Sequence, residues 1–165
     1  MINLVKKHKK MKDYLVDDYL YCIADMLSEE VVWSMDDISH HAETSCLDHC
    51  FNVSFISYLI CRKLSFDYSS AARGGLLHDF FLYDWHGTKL WNIHGIKHPK
   101  IALKNAKKYF ELNKTEEAVI KKHMWPLTVF PSLHKEAYVV MFVDKGCTLM
   151  EMFRLRKRKF VEKYF

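Results

Sequence analysis

Turn-forming residues are scarce in this chain, with five glycines and three prolines among 165 residues. Half of the residues are hydrophobic, so the scarcity excludes a disordered or loop-rich scaffold and leaves a compact, helix-rich protein with a sizeable core. Apolar residues rarely alternate with polar ones, so strand signals are few. Cys22, Cys46, Cys50, Cys61 and Cys147 are odd in number and form no C-x-x-C pair. That fits reduced thiols in a cytoplasmic protein better than a disulfide framework. The longest nearly apolar run, "VSFISYLIC", falls far short of the ~20 residues that span a bilayer, and the opening "MINLVKKHKKMKDYLV" lacks the apolar core of a signal peptide. No membrane partner is expected.

Charge of one sign is present but local. The net +5 comes mostly from "VKKHKKMK" near the start and "RLRKRKF" near the end. Both read as solvated helix ends. No aromatic residues interleave them in a stacking pattern, which argues against a nucleic-acid reader.

What the chain does contain is helical periodicity. "DYLVDDYLYCIADML" places Leu15, Tyr19, Cys22, Ile23 and Met26 on one side of a helix, followed by a short polar connection. Thr44 or Ser45 caps the next helix, which runs to about Leu64 with Cys46, His49, Cys50, Val53, Ile56 and Ile60 on its buried face. Asp67 or Ser69 opens "YSSAARGGLLHDF", where Gly74 and Gly75 each cost ~1 kcal/mol of helix stability relative to alanine. Close packing on a neighbouring helix is a reason to keep them. "LYDWHGTKLWNIHGIK" breaks the pattern, and Pro99 then starts a helix through Phe110 with His98 at its cap. Thr115 caps a short helix that ends near His123, and a last main helix starts near Ser132 with Ala137, Val140, Met141 and Asp144 facing inward. The organisation is all-α. Residues 1–40 form an N-terminal helix and connection packed on a domain spanning 41–165, whose last helix is basic.

Three helices therefore turn His49, the His78-Asp79 pair and Asp144 toward the core, while His98 and His123 lie at helix ends. Buried carboxylates are expensive unless a cation meets them. Imidazole and carboxylate together are ligands for divalent transition metals, and a core around them fixes their geometry. His8, His40, His41 and His134 fit no such face and read as surface residues.

The pattern resembles the HD-domain metal-dependent phosphohydrolases. The matching residues are His49 in "TSCLDHC", His78 and Asp79 in "GGLLHDF", and Asp144 in "MFVDK", over roughly residues 44 to 153. "IKHPKIA" and "IKKHMWP" add His98 and His123 in between, as in the H…HD…H…H…D two-metal members. These include HD-type dinucleoside tetraphosphate hydrolases and, more distantly, HD-GYP phosphodiesterases. No "GYP" stretch follows here, which argues against cyclic dinucleotide hydrolysis.

The resemblance implies a single HD-domain bundle of six or seven helices beyond the N-terminal one. It implies that His49, His78, Asp79 and Asp144 hold a first metal, and His98 and His123 a second, with Asp79 bridging. The ligand set accepts iron, manganese, nickel, cobalt or zinc, as two ions or as one. It implies a phosphohydrolase or phosphodiesterase in which metal-activated water attacks a phosphoester or phosphoanhydride, with a nucleotide as the expected small substrate. Arg73 and Lys145 are the nearest candidate phosphate cations, each equally readable as a surface charge. Asp84, His86, Lys89 and His94 lie in the irregular segment expected to wall the substrate pocket. Trp85 and Trp91 read first as core packing, with stacking on a nucleobase as the functional alternative. A non-catalytic HD-like sensor or interaction module with a structural metal is the competing class. The sequence is compatible with a homodimer and does not specify one.

Overall fold

A computed structural model describes residues 13–39, 44–83, 91–128 and 130–153; for 91–96 it describes the backbone alone. The protein is all-α. Helix α1 covers 13–22, and a turn at Ile23 separates it from α2 (Ala24–Leu27). The polar connection that follows holds α3 (Glu30–Trp33) and a 3-10 turn (Ser34–Asp37). Tyr19, Ile23 and Met26 are fully buried, and the hydroxyl of Tyr19 donates to Ser54 Oγ at 2.9 Å. Tyr58 and Arg62 both hold Asp18, so a polar clasp reinforces the apolar contact between the N-terminal helix and the long helix after it.

That long helix, α4 (Cys46–Lys63), starts because Ser45 accepts the backbone N–H of Asp48. Its buried face is the expected one through Val53, but Ile60 emerges into solvent and Tyr58 and Cys61 take the core positions. Asp67 caps α5 (Tyr68–Leu77) by accepting from Ser70 N.

The paired glycines do what their helix penalty suggests. A Cβ on Gly75 would lie 2.9 Å from Ser54 Cα on α4, and one on Gly74 would lie 2.8 Å from Val119 Cβ. Helix α5 is thus pressed between α4 and α7, and its C-terminus is delivered into the middle of the bundle.

Helix α6 (Trp91–Tyr109) begins well before Pro99, which sits in its interior rather than in its first turn. The missing N–H removes only the bond that residue 99 would give to Gly95, and the helix continues on both sides. Helix α7 (Lys114–Lys122) is capped by Asn113 instead of Thr115. Asn113 accepts from Glu116 N while Glu116 accepts from Asn113 N, a reciprocal capping box. Helix α8 (Lys135–Met152) starts three residues later than Ser132, whose hydroxyl accepts from His134 N. Helix α4 packs on α5 and α8, α5 packs on α7, and α7 packs on α6 and α8. No helix among the described residues is long and apolar enough to cross a membrane.

Candidate metal centre

Helix ends place three of the imidazoles, whereas His98, expected at a cap, sits in the interior of α6. His78 and His123 are the C-cap residues of α5 and α7, and each donates from Nδ1 to the carbonyl three residues back, Gly75 O and Ile120 O, both at 2.8 Å. Those bonds assign the ring proton to Nδ1 and turn Nε2 inward. Both helices also aim the negative ends of their dipoles at this point, which favours a cation there. His49 sits in the first turns of α4, and His98 on α6 lies one residue before Pro99. Asp144 and Glu151 project from the core face of α8, two turns apart.

Two trios result, each with its ligand atoms within 4.8 Å of one another: His49, His78 and Asp144, and Asp79, His98 and His123. All six residues are buried. Asp79 joins the trios. Its Oδ2 lies 3.5 Å from His78 Nε2, and its Oδ1 lies 3.1 Å from His98 Nε2 and 3.5 Å from His123 Nε2. The Nε2 atoms of His98 and His123 are 2.7 Å apart. Because His123 keeps its proton on Nδ1, His98 is the donor between them. On the other side, His49 Nε2 is 3.1 Å from Asp144 Oδ1, and His49 Nδ1 is 2.9 Å from Glu151 Oε2.

The electrostatics of the trios differ. Burial pushes the His49 imidazole down, but the carboxylates of Asp144 and Glu151 outweigh it and hold the group well above its usual range. Burial likewise opposes protonation of His78, and Asp79 and Asp144 raise it nonetheless. Burial pushes Asp144 up, yet His49 and His78 hold it well below the ordinary carboxylate range. His123 goes the other way: burial lowers it, and Asp79 only partly compensates.

The residues fit a divalent ion by one test in particular. His78 Nε2 is buried and makes no hydrogen bond, yet it lies 3.5 Å from Asp79 Oδ2 and 3.6 Å from Asp144 Oδ1. Those separations are too long for hydrogen bonds. They match the ~3–3.5 Å between atoms that each sit 2.0–2.2 Å from one shared ion. A buried imidazole nitrogen flanked by two carboxylates at these separations is a donor set that could hold a cation, with a proton as its competitor.

The backbone of the HD turn is secured separately. Asn105 on α6 donates from Nδ2 to Phe80 O at 3.2 Å and to Phe81 O at 3.0 Å, and Cys46 Sγ donates to Asp79 O at 3.6 Å. These bonds give partners to carbonyls of the turn that follows α5. Leu82 closes the turn at φ 59°, a region that a branched residue enters at some strain.

The other expected site residues distribute unevenly. Lys145 stands at the rim, donating from Nζ to His123 O at 3.2 Å, and burial lowers its ammonium despite Asp144 alongside. Arg73 does not join the cluster: its guanidinium is paired with Glu116, at 2.8 Å, and with Asp25. His94 falls on the backbone of α6, and Asp84, Trp85, His86 and Lys89 lie outside the described residues, as do His8, His40, His41 and both basic runs. His134, expected at the surface, is half-buried, with Nδ1 3.2 Å from Thr115 Oγ1. Glu151 and Asn105 were not singled out by the sequence. Glu151 shares a helix face with Asp144 at a spacing of seven, and that spacing was the available signal.

The α-helical bundle thus gathers six buried imidazole and carboxylate groups that could hold metal ions. Residues 46–145 match the family model described as HD domain, and the chain belongs to that family. No curated protein and no solved structure matches it.

Proposed function

We propose that this HD-domain protein is a metal-dependent phosphohydrolase or phosphodiesterase acting on a small phosphorylated substrate, with a nucleotide as the first choice. The observation that carries the reading is the placement of Asp79, a member of one trio, with its second oxygen 3.5 Å from His78 Nε2 of the other. His49, His78, Asp79 and Asp144 would hold one divalent ion, and Asp79, His98 and His123 a second. Such ions supply Lewis acidity, lowering the pKa of water and neutralising charge on phosphate oxygens.

The chain's own residues do the rest. The i−3 carbonyl bonds of His78 and His123 keep both rings in the ligand tautomer. Burial excludes bulk water, which strengthens every charge interaction at the centre. Lys145, anchored to the His123 carbonyl at the rim, presents a cation where a substrate phosphate would enter. The five cysteines are all free thiols, which supports a reducing, cytoplasmic setting.

The test is reconstitution of chelator-stripped protein with iron, manganese, nickel, cobalt or zinc, then assay on bis-p-nitrophenyl phosphate and a nucleotide panel. Turnover with at least one metal, abolished in Asp79→Ala, is the expected result. A fully metal-loaded protein inert on every substrate would instead make this a non-catalytic HD module with a structural metal.

A further inference from the structure

Neutral carbonyls of their own helices hold the outer nitrogens of His78 and His123, Gly75 O for one and Ile120 O for the other. The outer nitrogen of His49 meets a charged group instead. Its Nδ1 faces a carboxylate from 102 residues away, Glu151 Oε2 at 2.9 Å, while its Nε2 faces Asp144. Glu151 is itself buried, at 3% exposure. We propose that Glu151 is a positioning residue that aligns His49 toward the first ion and makes that position the tighter of the two, an inference that rests on the metal-binding reading above.

A carboxylate behind a ligating imidazole fixes the ring and its tautomer and raises its basicity as a ligand. Of these three rings, His49 is the one that gains a formal charge from its outer partner. Helix α8 delivers both Asp144 and Glu151 from one face, so a single rigid element sets the near ligand and the outer support of His49 together. The trio of Asp79, His98 and His123 has one carboxylate, whereas the first position draws on Asp79, Asp144 and, through His49, Glu151. A dication is therefore held against more negative charge at the first position.

The experiment is Co(II) titration of metal-free protein in a His123→Ala background, in which the His49 trio stays whole, followed by the visible d–d bands. Glu151→Ala should weaken Co(II) binding by about 10–100-fold, the range for loss of an outer partner of a ligating histidine. Glu151→Gln keeps the shape and an accepting oxygen without the charge, so it should show a smaller loss together with shifted d–d bands. Circular dichroism of each metal-free variant establishes that it is folded. Equal Co(II) affinity and identical bands in folded Glu151→Gln and the parent would overturn the assignment. If the wild-type chain takes up no metal at all, it is the metal-binding reading itself that fails.

Discussion

On one side of Asp79, His49 and His78 face the carboxylates of Asp144 and Glu151; on the other, His98 and His123 face each other across 2.7 Å. Burial is nearly the same on both sides, and the charge balance is not. The carboxylate-rich side draws protons onto its imidazoles, whereas burial drives the proton off His123. On the proposed reading, one bundle thus offers two neighbouring cation positions with different competitors. An ion entering the first must displace protons, and an ion entering the second must break the hydrogen bond between His98 and His123.

The residue shared by both sides gives the largest expected effect. Asp79→Ala should remove both ions and reduce phosphodiester turnover to background, as measured by elemental analysis and bis-p-nitrophenyl phosphate hydrolysis. Retention of one ion would mean that the trios are independent. Single-sided variants come next. His123→Ala should lose the weaker ion and keep the tighter one, and Asp144→Ala the reverse, with stoichiometry and affinity read together by calorimetry. Identical profiles for the two variants would erase the distinction between the sides.

Acidity separates the sides further. In the metal-free chain, Asp144 lies well below its usual 3.8, so its contribution to stability is complete above that value and is lost as pH falls through the depressed one. His49 lies well above 6.5, so its contribution is complete below 6.5 and is lost as pH rises through the raised one. Metal-free protein should therefore melt highest between about pH 4 and 6.5. An added ion replaces the His49 proton, so the metal-induced rise in Tm should be larger at pH 8 than at pH 6. The opposite trend in differential scanning fluorimetry would contradict the raised pKa of His49.

The smallest effects concern the packing that brings the sides together. In Gly75→Ala the new Cβ meets Ser54 backbone at 2.9 Å, which should cost about 1–3 kcal/mol and lower Tm by roughly 3–10 °C. Gly146→Ala, with nothing within 4 Å of its Cβ, should instead stabilise α8 by about 0.5–1 kcal/mol. Thermal melts that rank the two glycines alike would remove the argument that α5 is wedged between its neighbours.

Much of the fold and most of the centre are legible in the sequence. His49, His78, Asp79 and Asp144 stand out because a polar residue on an apolar helix face is conspicuous against 3-4 spacing, and Gly74-Gly75 announces a close approach. The misreadings have physical causes. Pro99 resembles a helix start, because proline is most at home in a first turn, but a helix already under way continues past it. Thr115 is a plausible cap, yet Asn113 and Glu116 close a reciprocal pair that the spacing N-x-x-E permits. Arg73 is near the HD pair in sequence, but five residues turn a helix by about 140° from coincidence, and Glu116 and Asp25 claim it. Glu151 escapes notice because its role depends on His49, a contact across 102 positions that no local pattern encodes.

The most direct test of the two-position account is stepwise Co(II) uptake by chelator-stripped wild-type protein, counted per chain by elemental analysis. Two ions bound in sequence are expected, the first abolished in Asp144→Ala and the second in His123→Ala. Uptake of no ion, or of a single ion lost equally in both variants, would contradict it.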